Sequence, residues 1–244
     1  MRPVLSLDAC HLKSRYKGTL YIATALSANN KLYPVAFAIC RENENTAGWT
    51  YFLSELKRNL PLLDSKNPNP RCELWANFAF ISDRDKGLIN AMKIIFPDNL
   101  HTNCLFHISK NVQKMSKSKI PWRLVFNIGK SFDIRTEMAG LESMLKISPE
   151  AVNYCLSIDP KLWRCTEWTK NMELPPRYNM YTSNISESTN SMFDSTREHS
   201  WLYTIDCILN LMIRRHDEKF KLYKNFSDKN EVVPCIKWVR GAGY

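Results

Sequence analysis

The chain has 244 residues, of which 44% are hydrophobic and 24% charged, a globular balance that excludes wholesale disorder. Its 34 Lys and Arg against 24 Asp and Glu leave a net charge of +10, which favours a polyanionic partner. No stretch approaches the about 18 consecutive apolar residues that cross a bilayer, and Asp8 interrupts the start before a signal-peptide core could form, so a secreted or membrane protein is not expected.

The length suits one sizeable domain, or a domain with one large insertion. The 8 cysteines include no Cys-x-x-Cys pair and read as free thiols in a reducing compartment. Residues 3–10 form a short β-favouring run with an acid, Asp8, at its carboxyl end. Residues 19–26 and 32–39 are the next strand candidates, joined through Asn29-Asn30. Short connections predict an antiparallel meander with the first strand central. Trp49, Phe52, Leu53, Leu56 and Leu60 then recur at three and four, predicting a helix over 46–60 that Pro61 stops.

A polar loop at 64–73 precedes a fourth strand at 75–82, which again ends on an acid, Asp83. A helix follows at 86–96, with Leu88, Ile89, Met92 and Ile95 on one face, then a short strand near 100–104 and a helix over 105–117. Residues 120–180 carry helical patches at 124–132, 137–147 and 150–158 and leave through Pro175-Pro176, so they read as a helical insertion. A last helical region runs from 183 to about 224, broken near Ser200, and the basic tail reads as a solvated extension. The expected fold is α/β: a mixed sheet in the order βββαβαβ, flanked by helices, with an all-helical insertion. The expected divisions are 1–118 and 183–224 for the core, 119–182 for the insertion and 225–244 for the extension.

Asp8 and Asp83 would emerge at one edge if their strands are neighbours, and ligands bind outside strand ends in α/β sheets. Glu187 lies in the first turn of the last helical region. Each acid alone is as readily structural: Asp83 could cap the helix at 86, and Glu187 could join a capping box with Ser183 or Asn184. Together, strand-Asp, strand-Asp, helix-Glu is the layout of an RNase H-like nuclease core. Three converging carboxylates call for a cation, and Mg²⁺ suits oxygen-only ligands.

The chain resembles the transposases of Mutator-like elements, the MULE group of DDE transposases. The resemblance rests on Leu5-Ser6-Leu7-Asp8-Ala9-Cys10-His11 with Tyr16-Lys17-Gly18, on Leu32-Tyr33-Pro34-Val35-Ala36-Phe37 with Trp49-x-x-Phe52-Leu53, and on Ile81-Ser82-Asp83-Arg84-Asp85. It continues in Cys104-x-x-His107 and in Ser183-Asn184-Ile185-Ser186-Glu187-Ser188-x-Asn190. It implies an RNase H-like fold with Asp8, Asp83 and Glu187 as the catalytic, metal-binding triad. Two Mg²⁺ ions, replaceable by Mn²⁺, would serve cleavage of DNA at element ends and transfer of the freed 3′-hydroxyl. It further implies the nucleus as compartment, DNA as partner and a homo-oligomer. Full-length relatives also carry an amino-terminal DNA-binding region and a carboxyl-terminal SWIM zinc finger, and neither spacing occurs here.

Cys104 and His107 have the spacing of half a zinc site with no second pair, so a role near the active site is preferred. No acid lies between Asp98 and Asp133, while Lys110, Lys114, Lys117, Lys119, Arg123 and Lys130 fall in that stretch, with Trp122 among them. Lys110, Lys114 and Lys117 are spaced to share a helical face. With Lys86 and Arg84, which flank Asp83, they are the candidate phosphate contacts. The alternative function is a domesticated, non-catalytic DNA-binding transcription regulator; a structure-selective nuclease such as a resolvase is a third.

Overall fold

The structure, a computed structural model, describes residues 3–27, 30–59, 78–117, 119–170 and 179–228. Strands β1 (Val4–His11), β2 (Thr19–Leu26), β3 (Leu32–Cys40), β4 (Ala79–Ser82) and β5 (His101–Asn103) form one sheet in the order β3-β2-β1-β4-β5. The first three are an antiparallel meander, and β4 and β5 add to β1 in parallel. The central place expected for β1 is the observed one. The loop at 64–73, the start of the fourth strand at 75–77, Pro61, Pro175-Pro176 and the end of the basic extension lie outside the described residues.

Alternation along β1 sorts its side chains between two layers. Leu5 and Leu7 join the core beneath α1 (Thr46–Asn59) and α2 (Lys86–Ile95), where Trp49, Phe52, Leu53, Leu88 and Met92 are buried. Val4 and Cys10 face the other side, toward α8 (Asn184–Met192) and α9 (Trp201–Asp228). β2 is buried at seven of its eight positions, as a strand covered on both faces should be.

Helix α3 (Leu105–Met115) leaves the sheet and turns its apolar face to a second core. That core also takes α4 (Trp122–Lys130), α5 (Ile134–Leu145) and α6 (Pro149–Ser157), centred on the fully buried Trp163. Short α7 (Thr166–Lys170) closes it, and Glu137, itself buried, accepts from Arg164 at 2.9 Å and from Thr166. Three differences from the sequence reading stand out. α3 stops at Met115, and Lys117 takes a left-handed φ of 49°, so Lys117 leaves the face that Lys110 and Lys114 occupy. β1 runs three residues past Asp8, because its second half stays paired with β2. Residues 225–228 continue α9, past the end expected near 224. The break expected near Ser200 is present, as a 3-10 turn at Thr196–Glu198. Among the described residues no helix is long and apolar enough to cross a membrane, and the six cysteines there are free thiols.

Candidate active site

β4 pairs with β1 through Val4–Ala79, Leu5–Phe80 and Ser6–Ile81. Carrying that register two residues further sets Asp83 level with Asp8. Asp83 is the first residue after β4 ends, where the chain turns into α2. It does not cap that helix: Asp85 does, accepting from the Leu88 amide at 2.8 Å. Asp83 instead accepts the Asp85 amide at 3.1 Å.

Asp8 lies on the face of β1 that α8 covers. Two residues apart on the strand match one turn of the helix. Ser186 thus meets Ser6 at 2.6 Å between hydroxyls, and Asn190 donates to Asp8 Oδ2 at 2.7 Å. The Asn190 carbonyl accepts from the Cys10 thiol at 3.4 Å, which turns its amide nitrogen toward Asp8. Asp8 Oδ1 accepts the Ala9 amide at 3.0 Å. Burial raises Asp8 to about 7, helped by the charges of Asp83, Glu187 and Glu44 and opposed by the Ala9 amide. At neutral pH the site therefore carries a carboxyl poised between its two states.

Glu187 stands in the first turn of α8, half-exposed, with Oε1 3.8 Å from His107 Nε2. Ser183 makes no side-chain cap on this helix, so no capping box claims the glutamate. His107 sits three residues after Cys104, which opens α3 and accepts the Ser183 amide at 3.2 Å. Burial raises the Cys104 thiol, but hydrogen bonding with His107 and Ser183 outweighs it and leaves the thiol below its ordinary range. His107 is raised, first by Cys104 and then by the charges of Asp83 and Glu187, against the opposing effect of burial. The Cys-x-x-His block, set apart from the three acids in sequence, thus ties α3 to the start of α8 beside Glu187.

The three acids interact through space rather than by contact. Among the described residues, no three Cys, His, Asp or Glu side chains lie close enough together, as they stand, to ligate one ion.

The predicted basic residues divide. Lys110 lines a cavity of about 480 Å³ between α3, α4 and the segment entering α8. Trp122, Phe126, Lys130, Tyr181 and Asn184 complete most of its wall, and Asn184 is one helical turn before Glu187. Lys110 Nζ sits 4.3 Å over the Phe106 ring, and Lys130 Nζ 5.0 Å over Tyr181. Lys86, Lys114, Lys117, Lys119 and Arg123 are exposed and stand outside this wall. Arg84 turns from Asp83 to Tyr154, donating to its hydroxyl at 2.8 Å, as Asn111 also does. Tyr154 has a structural role beside Arg84 and Asn111 that its sequence context does not signal. Only the i, i+4 spacing of Ser186 and Asn190 hinted at a helix face matched to alternate residues of a strand.

No curated protein matches the chain. A family model described as the MULE transposase domain matches residues 4–111, a stretch that holds the whole sheet, both aspartates and the Cys104–His107 block, with Glu187 beyond its end. Over residues 4–111 the chain is similar to the MULE transposase domain, the domain of the transposases of Mutator-like elements.

Proposed function

We propose that this chain is the catalytic part of a DDE-type DNA transposase, with Asp8, Asp83 and Glu187 as its metal-holding acids. The observation that carries the reading is that the charges of Asp83 and Glu187, from two other elements, both bear on the buried Asp8. The sheet order, with a three-stranded meander followed by two parallel strands, supports an RNase H-like core. The donor set is oxygen-only, and Asp8 is raised by burial and by the charges of Asp83 and Glu187; both fit Mg²⁺, with Mn²⁺ as a substitute. A bound pair of such ions supplies Lewis-acid stabilisation to the attacking and leaving oxygens of a phosphodiester displacement.

The chain's own residues prepare that chemistry. Asn190 and the Ala9 amide fix the two oxygens of Asp8. The Asp85 amide orients Asp83, and His107 places a hydrogen-bond donor beside Glu187. Lys110 and Lys130, in the cavity whose wall includes Asn184, draw the DNA backbone toward the acids, and Trp122 offers an exposed ring beside them. Element ends and target DNA are the substrates, and the nucleus is the compartment.

The test is a Mn²⁺ titration of the full chain with a short DNA duplex, read by thermal stability and then by strand cleavage and joining. Stabilisation and cleavage are expected for the natural sequence and their loss in Asp8→Asn and Asp83→Asn. DNA binding with no metal response and no cleavage would assign the chain instead to a domesticated, non-catalytic transcription regulator. Cleavage without joining would assign it to a structure-selective nuclease.

A further inference from the structure

Helix α9 spans 28 residues, about 42 Å at 1.5 Å per residue. One of its faces holds it to the body. Thr204 and Ile208 are buried, Leu211 and Met212 pack beside Ile208, and Arg215 donates to the Leu32 carbonyl at 3.1 Å. About a third of a turn round the helix runs a second stripe: Leu202, Asp206, Leu209, Ile213, His216 and Phe220. At about 100° per residue these six fall within an arc of roughly 80°, the narrow seam of a two-helix contact. All six are exposed, and the apolar four show 82, 46, 57 and 62% of their surface to solvent in chain order. A contiguous exposed apolar stripe marks an interaction surface.

The stripe is its own reverse. Its steps of four, three, four, three and four residues read the same in both directions about Leu211. Turned end for end, Leu202 exchanges with Phe220, Asp206 with His216, and Leu209 with Ile213. We propose that α9 docks antiparallel on α9 of a second copy of this chain through this stripe. A two-fold contact requires a surface complementary to itself, and the exchange of Asp206 with His216 gives this stripe that complementarity when it is turned end for end.

Charge selects the direction. Antiparallel pairing sets Asp206 against the partner's His216, twice over, while a parallel, in-register pair would set Asp against Asp and His against His. Within its own chain His216 has Asp217 at 4.0 Å, too long for a hydrogen bond, so its ring is available to a carboxylate across the seam. The apolar pairs Leu202 with Phe220 and Leu209 with Ile213 supply the buried area, and the two polar pairs supply the register.

The test uses the full chain and no nuclease assay, so its result is separate from that of the proposed activity. Sedimentation equilibrium over a concentration series should return a dimer of the 28.5 kDa chain. Leu209→Glu with Ile213→Glu should yield a monomer with an unchanged far-UV circular dichroism spectrum. Asp206→His alone or His216→Asp alone should weaken the dimer about tenfold in Kd, and the double exchange should restore it. A monomer at every concentration would overturn the proposal. So would a dimer indifferent to the two glutamates, or a double exchange that fails to rescue the singles.

Discussion

Asn190 donates to Asp8 across 182 residues of sequence, and the same side chain accepts from the Cys10 thiol two residues further along β1. One amide thereby reads two successive outward positions of the central strand and fixes the carboxylate that the other two acids disturb. This pairing belongs to the contact of α8 with β1, which Ser186 and Ser6 anchor one turn earlier.

Removing that amide should matter more for activity than for folding. Asn190→Ala leaves Asp8 Oδ2 without its donor, and a hydrogen bond to the charged form is one of the forces that keep a carboxylate ionised. Metal-dependent cleavage should fall about 10- to 100-fold, with the Mn²⁺ midpoint moving to higher concentration. Thermal stability should change little. Cleavage equal to the natural protein's would remove Asn190 from the site.

The raised Asp8 has a consequence for stability that can be measured without any substrate. Its folded value of about 7 exceeds its unfolded value near 3.8, so folding holds a proton that unfolding releases over that interval. The acid therefore costs nothing at pH below about 4, costs progressively more as pH rises toward 7, and costs its full amount above. A shift of that size corresponds to ~4 kcal/mol. Asp8→Asn should raise the melting temperature at pH 8 and leave it nearly unchanged at pH 4. Equal shifts at both pH values would contradict the electrostatic account.

His107 should titrate above an ordinary histidine, and the largest cause is Cys104. Cys104→Ala should bring the His107 ring back down, seen by NMR titration of the imidazole resonances. Because the folded value is raised, His107 contributes stability below its unfolded value and loses it as pH rises through the folded one. His107→Gln keeps a donor toward Glu187 without the charge, and should retain more cleavage activity than His107→Ala. Equal loss in both variants would argue for charge rather than positioning.

The cavity beside α8 makes a prediction on DNA alone. Lys110→Ala with Lys130→Ala should weaken duplex binding on any sequence and reduce the slope of log affinity against log salt by about 2. Lys114→Ala with Lys119→Ala, outside the cavity wall, should do less. Trp122→Ala should weaken binding of single-stranded DNA more than of duplex, since a freed base can stack on the ring and a paired one cannot. Affinities unaffected by all three changes would place the DNA path elsewhere.

Much of this was legible in the residues. The run of three strands with short connections, the 3.6-residue period of α1 and α2, and the strand that ends beside Asp83 are local patterns, and each follows from short-range backbone preference and burial of one face. The motif order was enough to set Asp8, Asp83 and Glu187 apart as candidates. Sequence did less well where a local pattern had two outlets. Lys117 continued the helical spacing of Lys110 and Lys114, yet α3 ends at Met115 and the backbone turns left-handed. Arg84 was adjacent to Asp83, yet its guanidinium found Tyr154, 70 residues on.

What the sequence determined by itself, then, is the set of elements, their order and the acids that punctuate them, because these depend on neighbours within a few residues. The tertiary structure alone decided which of those neighbours meet. The level register of Asp8 with Asp83 depends on a parallel strand pair with no turn to dictate it. The grip of Asn190 on Asp8 and the approach of His107 to Glu187 depend on how one helix seats on a strand and another turns toward a second core. Such contacts are set by packing between distant segments, where burial and charge act across space and the chain between them leaves no periodic trace.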